Sequence, residues 1–119
     1  MVNSYMEREK IAVDFSNAVN SILKDIELII LFGSTAKKMD LLYSDIDIAL
    51  IGKNERIDKK DKEKINNIVV NILLQYGVLI NWLYFHIKTW EENLLPIIKE
   101  IREGGIVLWA KEKTKKIWH

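Results

Sequence analysis

The stretch from Leu28 to Ile51 constrains this chain more than any other. It opens with Leu28-Ile-Ile-Leu-Phe32, an apolar run short enough and β-branched enough to be a buried strand. Gly33-Ser34 breaks the run, and Thr35-Ala36-Lys37-Lys38 can start a helix. A second strand pattern follows, Ser44-Asp-Ile-Asp-Ile-Ala-Leu-Ile51, in which two acids interrupt the apolar residues. Asp45 and Asp47 are two positions apart, so on a strand they share one face, with Cα atoms roughly 6–7 Å apart. Two carboxylates aimed at one point repel each other unless a cation lies between them, which is how a magnesium site is built. A surface hairpin with solvated acids would not account for both falling on the same face of an otherwise apolar strand.

The Gly-Ser turn supplies a partner for such a cation. A strand that stops at Gly33 and runs into a helix near Ser34 exposes unpaired backbone N–H groups and a positive dipole end. Gly33 lets the backbone approach a ligand closely, and the Ser34 hydroxyl adds a donor. Phosphate suits that environment, and Lys37, one turn on, can add positive charge. Metal and phosphate would then meet over one sheet edge.

Gly33-Ser34, ten further residues and Asp45-Ile46-Asp47 resemble the signature of the nucleotidyltransferase superfamily related to DNA polymerase beta. The Ser44-Asp-Ile-Asp47 ending and the chain length resemble its minimal nucleotidyltransferase (MNT) branch. The resemblance implies an α+β domain, a small mixed β-sheet flanked by helices. It implies transfer of a nucleoside monophosphate from a nucleoside triphosphate to a hydroxyl acceptor, with pyrophosphate leaving. Asp45 and Asp47 would be the catalytic and metal-binding residues, holding Mg2+ or Mn2+. Gly33 and Ser34 would cradle the outer phosphates, with Lys37 assisting. Active members generally place a third carboxylate on a neighbouring strand, facing the Asp pair. No Asp or Glu lies between Gly77 and Thr89, and Asn81 is the candidate for that slot. An amide oxygen can ligate a hard cation but brings no charge and is no base. Minimal nucleotidyltransferases of this kind commonly pair with a small helical HEPN protein as toxin and antitoxin. The second reading is therefore an antitoxin that neutralises such a partner by binding alone, and a nucleotide sensor without transfer is a third. Where the family often has Arg-Gly, this chain has Lys37-Lys38, followed by a loop that includes Leu41, Leu42 and Tyr43. Lys keeps the charge but not the bidentate fork.

The remaining sequence frames this segment. A chain of 119 residues suits one domain with a modest core. A net charge of +1 argues against a large nonspecific nucleic-acid footprint, leaving nucleic acid only as an acceptor. There is no cysteine, hence neither a disulfide nor a thiolate metal site. No apolar run reaches the ~18 residues of a membrane helix, and the N-terminus lacks a signal-peptide layout, so a soluble, cytoplasmic protein is expected. Whether it forms homo-oligomers is left open.

Ile11, Phe15, Ala18, Val19, Ile22 and Leu23 predict an amphipathic helix over about 4–24. The charged run from Lys53 to Lys64 reads as a solvated connection, or as a lysine-rich rim for phosphates. Ile65, Ile68, Val69, Ile72, Leu73 and Tyr76 predict a second helix over about 58–76 with all six in the core, stopped at Gly77. Val78 to His86 should be a mostly buried third strand, with Trp82 and Tyr84 on the face opposite Asn81. His86, at its end, is an alternative base. Thr89-Trp-Glu-Glu92 resembles a capping box, so a short helix should start near Trp90, with a restart or kink at Pro96. Gly104-Gly105 should end that helix, and Ile106 to Trp109 reads as a last strand or an apolar latch. The domain is expected over 1–110, followed by a basic tail, 111–119, that includes Trp118.

Overall fold

β1 (Ile26–Phe32) is buried at all seven positions, and the rest of the molecule is built around it. In a computed structural model of the chain, which describes residues 5–36 and 45–112, β1 pairs antiparallel with β2 (Ile46–Gly52) and with β4 (Ile106–Ala110). β2 pairs in parallel with β3 (Ile80–His86), giving a mixed four-stranded sheet of order β3-β2-β1-β4. A strand without a polar face must be covered on both sides, and helices supply both covers. This is the α+β, helix-flanked mixed sheet expected from the sequence.

One face receives α1 (Tyr5–Ile22) and α3 (Lys59–Tyr76). Ile11, Phe15 and Val19 of α1 and Ile65, Val69 and Ile72 of α3 join Ile29, Leu31, Ile48 and Leu50 in the larger core. Full burial of side chains of this size stabilises by about 1.5–3 kcal/mol each. α3 begins where Asp58 accepts the Asp61 N–H at 2.9 Å, and ends where Gly77, at φ 70°, donates its N–H to the Leu73 carbonyl. The other face carries α4 (Ile87–Glu92) and α5 (Pro96–Gly104), whose Trp90, Ile98 and Ile101 pack on Leu28, Ile30, Ala49 and Ile51. Arg102 ties these two helices together. Its guanidinium lies 4.3 Å from the Trp90 ring centroid and donates to the Trp90 carbonyl.

The structure corrects three local expectations and decides two more. β3 is an edge strand rather than a mostly buried one, with Asn81 and Leu83 exposed. α3 buries a narrower stripe than its apolar spacing suggests: Ile65, Val69 and Ile72 are buried and Ile68 and Tyr76 pack partly against the core, while Leu73 is 41% exposed. α4 starts at Ile87, three residues before the predicted start, and its N-cap is His86, which makes no side-chain capping bond. Thr89 therefore lies inside the helix and caps nothing; turning straight out of β3 brings Ile87 onto the smaller core. The break at Pro96 is a full restart, with Asn93 in the left-handed conformation (φ 54°) between α4 and α5. Ile106 to Ala110 is a strand and not a latch, since it hydrogen-bonds along β1.

Candidate functional site

The site forms where β1 ends and β2 begins. Antiparallel pairing sets Phe32 beside Asp47, so the chain leaving β1 turns at Gly33 directly over the β2 acids. α2 (Gly33–Ala36), a single described turn, starts there. Gly33 has φ +74°, a conformation that L side chains rarely adopt, and a Cβ at this position would collide with the Asp47 carboxylate. The glycine is thus required twice, by its dihedral and by the acid pressed against it. Thr35 and Ala36 are buried beneath the turn.

Strand alternation assigns Asp47 its face. Ile46, Ile48 and Leu50 enter the larger core and Ala49 and Ile51 the smaller, so Asp47 lies on the α4–α5 side with the latter two. Asp45, just before β2, shares that side. Both are half-buried. Parallel pairing places Asn81 of β3 directly opposite Asp47, which is the slot the sequence assigned to it. Asn81 donates its amide N–H to the Asp45 carboxylate at 2.7 Å. The Asp47 carboxyl is pushed above the usual carboxylate range, mainly by burial. A hydrogen bond with Asn81 opposes that shift, while the charges of Asp45 and Glu100 add to it.

An open cleft of about 510 Å³ lies over this corner, lined by Phe32, Gly33, Asp47, Asn81, Trp82, Leu83 and Glu100. Glu100, on α5, was not singled out by the sequence. The signal was present in the topology: β4 runs antiparallel to β1 from the Leu31–Ile106 pair, so the C-terminal turns of α5 must end beside Phe32. Glu91 and Glu92, the acids nearest in sequence to β3, instead sit on α4, which follows the far end of that strand. His86 is also at the far end, paired with Gly52, about 16 Å along the strand from Asn81 at ~3.3 Å per residue. It cannot serve these carboxylates as a base. Trp82 and Tyr84 do face away from Asn81: Trp82 donates to Asn66 of α3 at 3.0 Å, and Tyr84 to the Asn54 carbonyl at 2.6 Å. A second cavity, of about 370 Å³, opens at the opposite end of the sheet among Lys24, Asp25, Arg56, Asp61 and Tyr84. It contains none of the predicted site residues.

The Ser34 side chain, Lys37, the loop with Leu41, Leu42 and Tyr43, and Trp118 of the tail lie outside the described residues. Among the described residues no three acidic or histidine side chains converge on a single point that could hold a metal. Two carboxylates on one face, one of them held above the usual carboxylate range by burial and further by its neighbour's charge, are nevertheless a fitting donor set for a cation that completes its shell elsewhere. Such a cation would polarise a phosphate oxygen when bound.

A model of the polymerase beta nucleotidyltransferase family matches residues 16–114. The chain belongs to this family. Two relatives from Methanocaldococcus jannaschii are named as protein adenylyltransferases. One is 36% identical over 85% of this chain and 98% of its own length. The other is 38% identical over 77% of this chain, and the match spans 64% of that relative's length. Among solved structures, a chain of a toxin–antitoxin complex with AMP-PNP superposes with a TM-score of 0.64 at 15% identity, covering 89% of this chain and 79% of that one. A chain of the Shewanella oneidensis complex between a tri-AMPylated HEPN toxin and its MNT antitoxin gives 0.59 at 14% identity, over 92% and 78%. These likenesses bear on the fold, which this nucleotidyltransferase shares. The family generally uses divalent metals. Among the described residues, no helix is long and apolar enough to cross a membrane.

Proposed function

We propose that this nucleotidyltransferase binds a nucleoside triphosphate with Mg2+ or Mn2+ and transfers the nucleoside monophosphate to a hydroxyl group on a protein. The observation that carries the reading is the corner itself: Asp45 and Asp47 on one face, Asp47 against Gly33, and the cleft open above Asp47. Asp45 and Asp47 would hold the cation, which polarises the phosphates when bound. The Gly33–Ser34 backbone and Lys37 would receive the outer phosphates. A protein acceptor, rather than RNA, is favoured by the names of the curated relatives and by the AMPylated toxin in one structural neighbour.

One observation favours a second reading. Asn81 stands opposite Asp47 where active relatives would carry a carboxylate, and it spends its amide on Asp45. A cleft with less charge for a second metal suits an antitoxin that occludes a HEPN-type toxin without modifying it. α-Labelled ATP with host extract, beside a D45A/D47A protein, separates the two. Label entering one protein band only with the intact pair is expected. Absence of label with every metal and nucleotide, while a co-purified toxin stays neutralised by the double variant, would overturn transfer in favour of occlusion.

A further inference from the structure

Asn81 cannot accept a proton, so the proposed transfer needs a base from elsewhere in the fold. Asp45 accepts the Asn81 amide and Asp47 lies against Gly33, positions from which both would face a bound cation. His86, Glu91 and Glu92 belong to the far end of β3. Glu100 remains. It lies on α5 between Ile98 and Ile101, which are fully buried, while its own side chain is exposed into the cleft shared by Asp47, Gly33 and Asn81. α5 packs on β1 and on the Gly33 turn, so the backbone of Glu100 is anchored to the same corner as the Asp pair.

We propose that Glu100 is the general base of the transfer, taking the proton of the acceptor hydroxyl. The inference rests on the transfer reading above. In the step, the acceptor oxygen forms its bond to the α-phosphorus and its proton passes to the Glu100 carboxylate. The bond from the α-phosphorus to the bridging oxygen breaks, and its electron pair leaves with pyrophosphate. Glu100 does not converge with Asp45 and Asp47 on a metal position, which separates its role from theirs. Its charge nevertheless reaches Asp47, as expected for a group at the rim of the same cleft.

The test uses the full chain with α-labelled ATP, Mg2+ and the host extract, comparing wild type, E100Q, E100D and D45A/D47A. Mg-ATP affinity is measured in parallel with a fluorescent ATP analogue. E100Q should lose about 100-fold or more of the single-turnover rate, the range of general-base catalysis. Its Mg-ATP affinity should stay within about twofold of wild type and its melting temperature unchanged, while E100D recovers part of the rate. An E100Q rate within about threefold of wild type overturns the inference and leaves the transfer reading standing. So does a rate loss matched by an equal loss of Mg-ATP affinity, which would make Glu100 part of the metal site. No label from wild type overturns the transfer reading, and this inference with it.

Discussion

Asp47 carries the clearest conflict between stability and the proposed use of the site. Burial, with Asp45 and Glu100 nearby, raises its pKa above the usual 3.8, so the folded state holds its proton more tightly than the unfolded chain does. The stability Asp47 contributes is therefore complete below about pH 3.8 and is lost as pH rises through the raised value. Asp47→Asn should then stabilise the metal-free protein at pH 7 and leave it unchanged near pH 3.5. The side chain is only half-buried, so solvent screening keeps the gain small. Thermal melts at the two pH values check it. Adding Mg2+ and ATP should raise the melting temperature of wild type and do little for the variant. Asn81→Asp runs the other way. It restores a carboxylate opposite Asp47, removes the donor to Asp45, and should lower metal-free stability while tightening the Mg2+ dependence of ATP binding in a titration. Asp45 and Asp47 were legible in the sequence because a strand bound for a core rarely carries two acids on one face without a ligand for them to hold. Glu100 was not, because one Glu on an amphipathic helix looks like any solvated charge until the helix is placed over the sheet.

At the scale of elements, the junction between β1 and α2 is the least tolerant point. Gly33→Ala would combine a positive φ with a collision against Asp47, and costs of about 1–3 kcal/mol are usual for such backbone strain. A urea titration should show that loss, and Mg-ATP affinity should fall with it because the turn moves off the acids. Helices are legible in the sequence to within a few residues wherever a cap and an apolar stripe agree, as at Asp58 and Gly77. α4 is misplaced by its sequence because Thr89-Trp-Glu-Glu92 has the composition of a cap, while the burial of Ile87 and Trp90 decides where the helix begins. The edge position of β3 cannot be seen in its own residues. An apolar run reads alike whether one neighbour or two will cover it.

For the whole molecule, apolar side chains differ sharply in what they contribute. Ile98 is fully buried in the smaller core, whereas Leu74 on α3 is 80% exposed. Ile98→Ala should cost about 2–5 kcal/mol and lower the melting temperature by roughly 8–20 °C. Leu74→Ala should stay within about 0.5 kcal/mol of wild type. Chemical denaturation of the pair checks both, and an equal loss from the two would contradict the arrangement of α3 described above.

The position of β1 between β2 and β4 also sets a timetable. A ribosome making ~5–20 residues per second needs about 3–12 s to go from the end of β2 to the end of β4. Throughout that interval the most deeply buried strand has β2 on one side and an unpaired row of N–H and C=O groups on the other. The nascent chain is then most liable to pair with a wrong strand, its own or a neighbour's. Slower elongation between Gly52 and Ile106 should therefore reduce the soluble yield more than slowing within α1, and holdase chaperones should be found on the chain while residues 53–105 are being made.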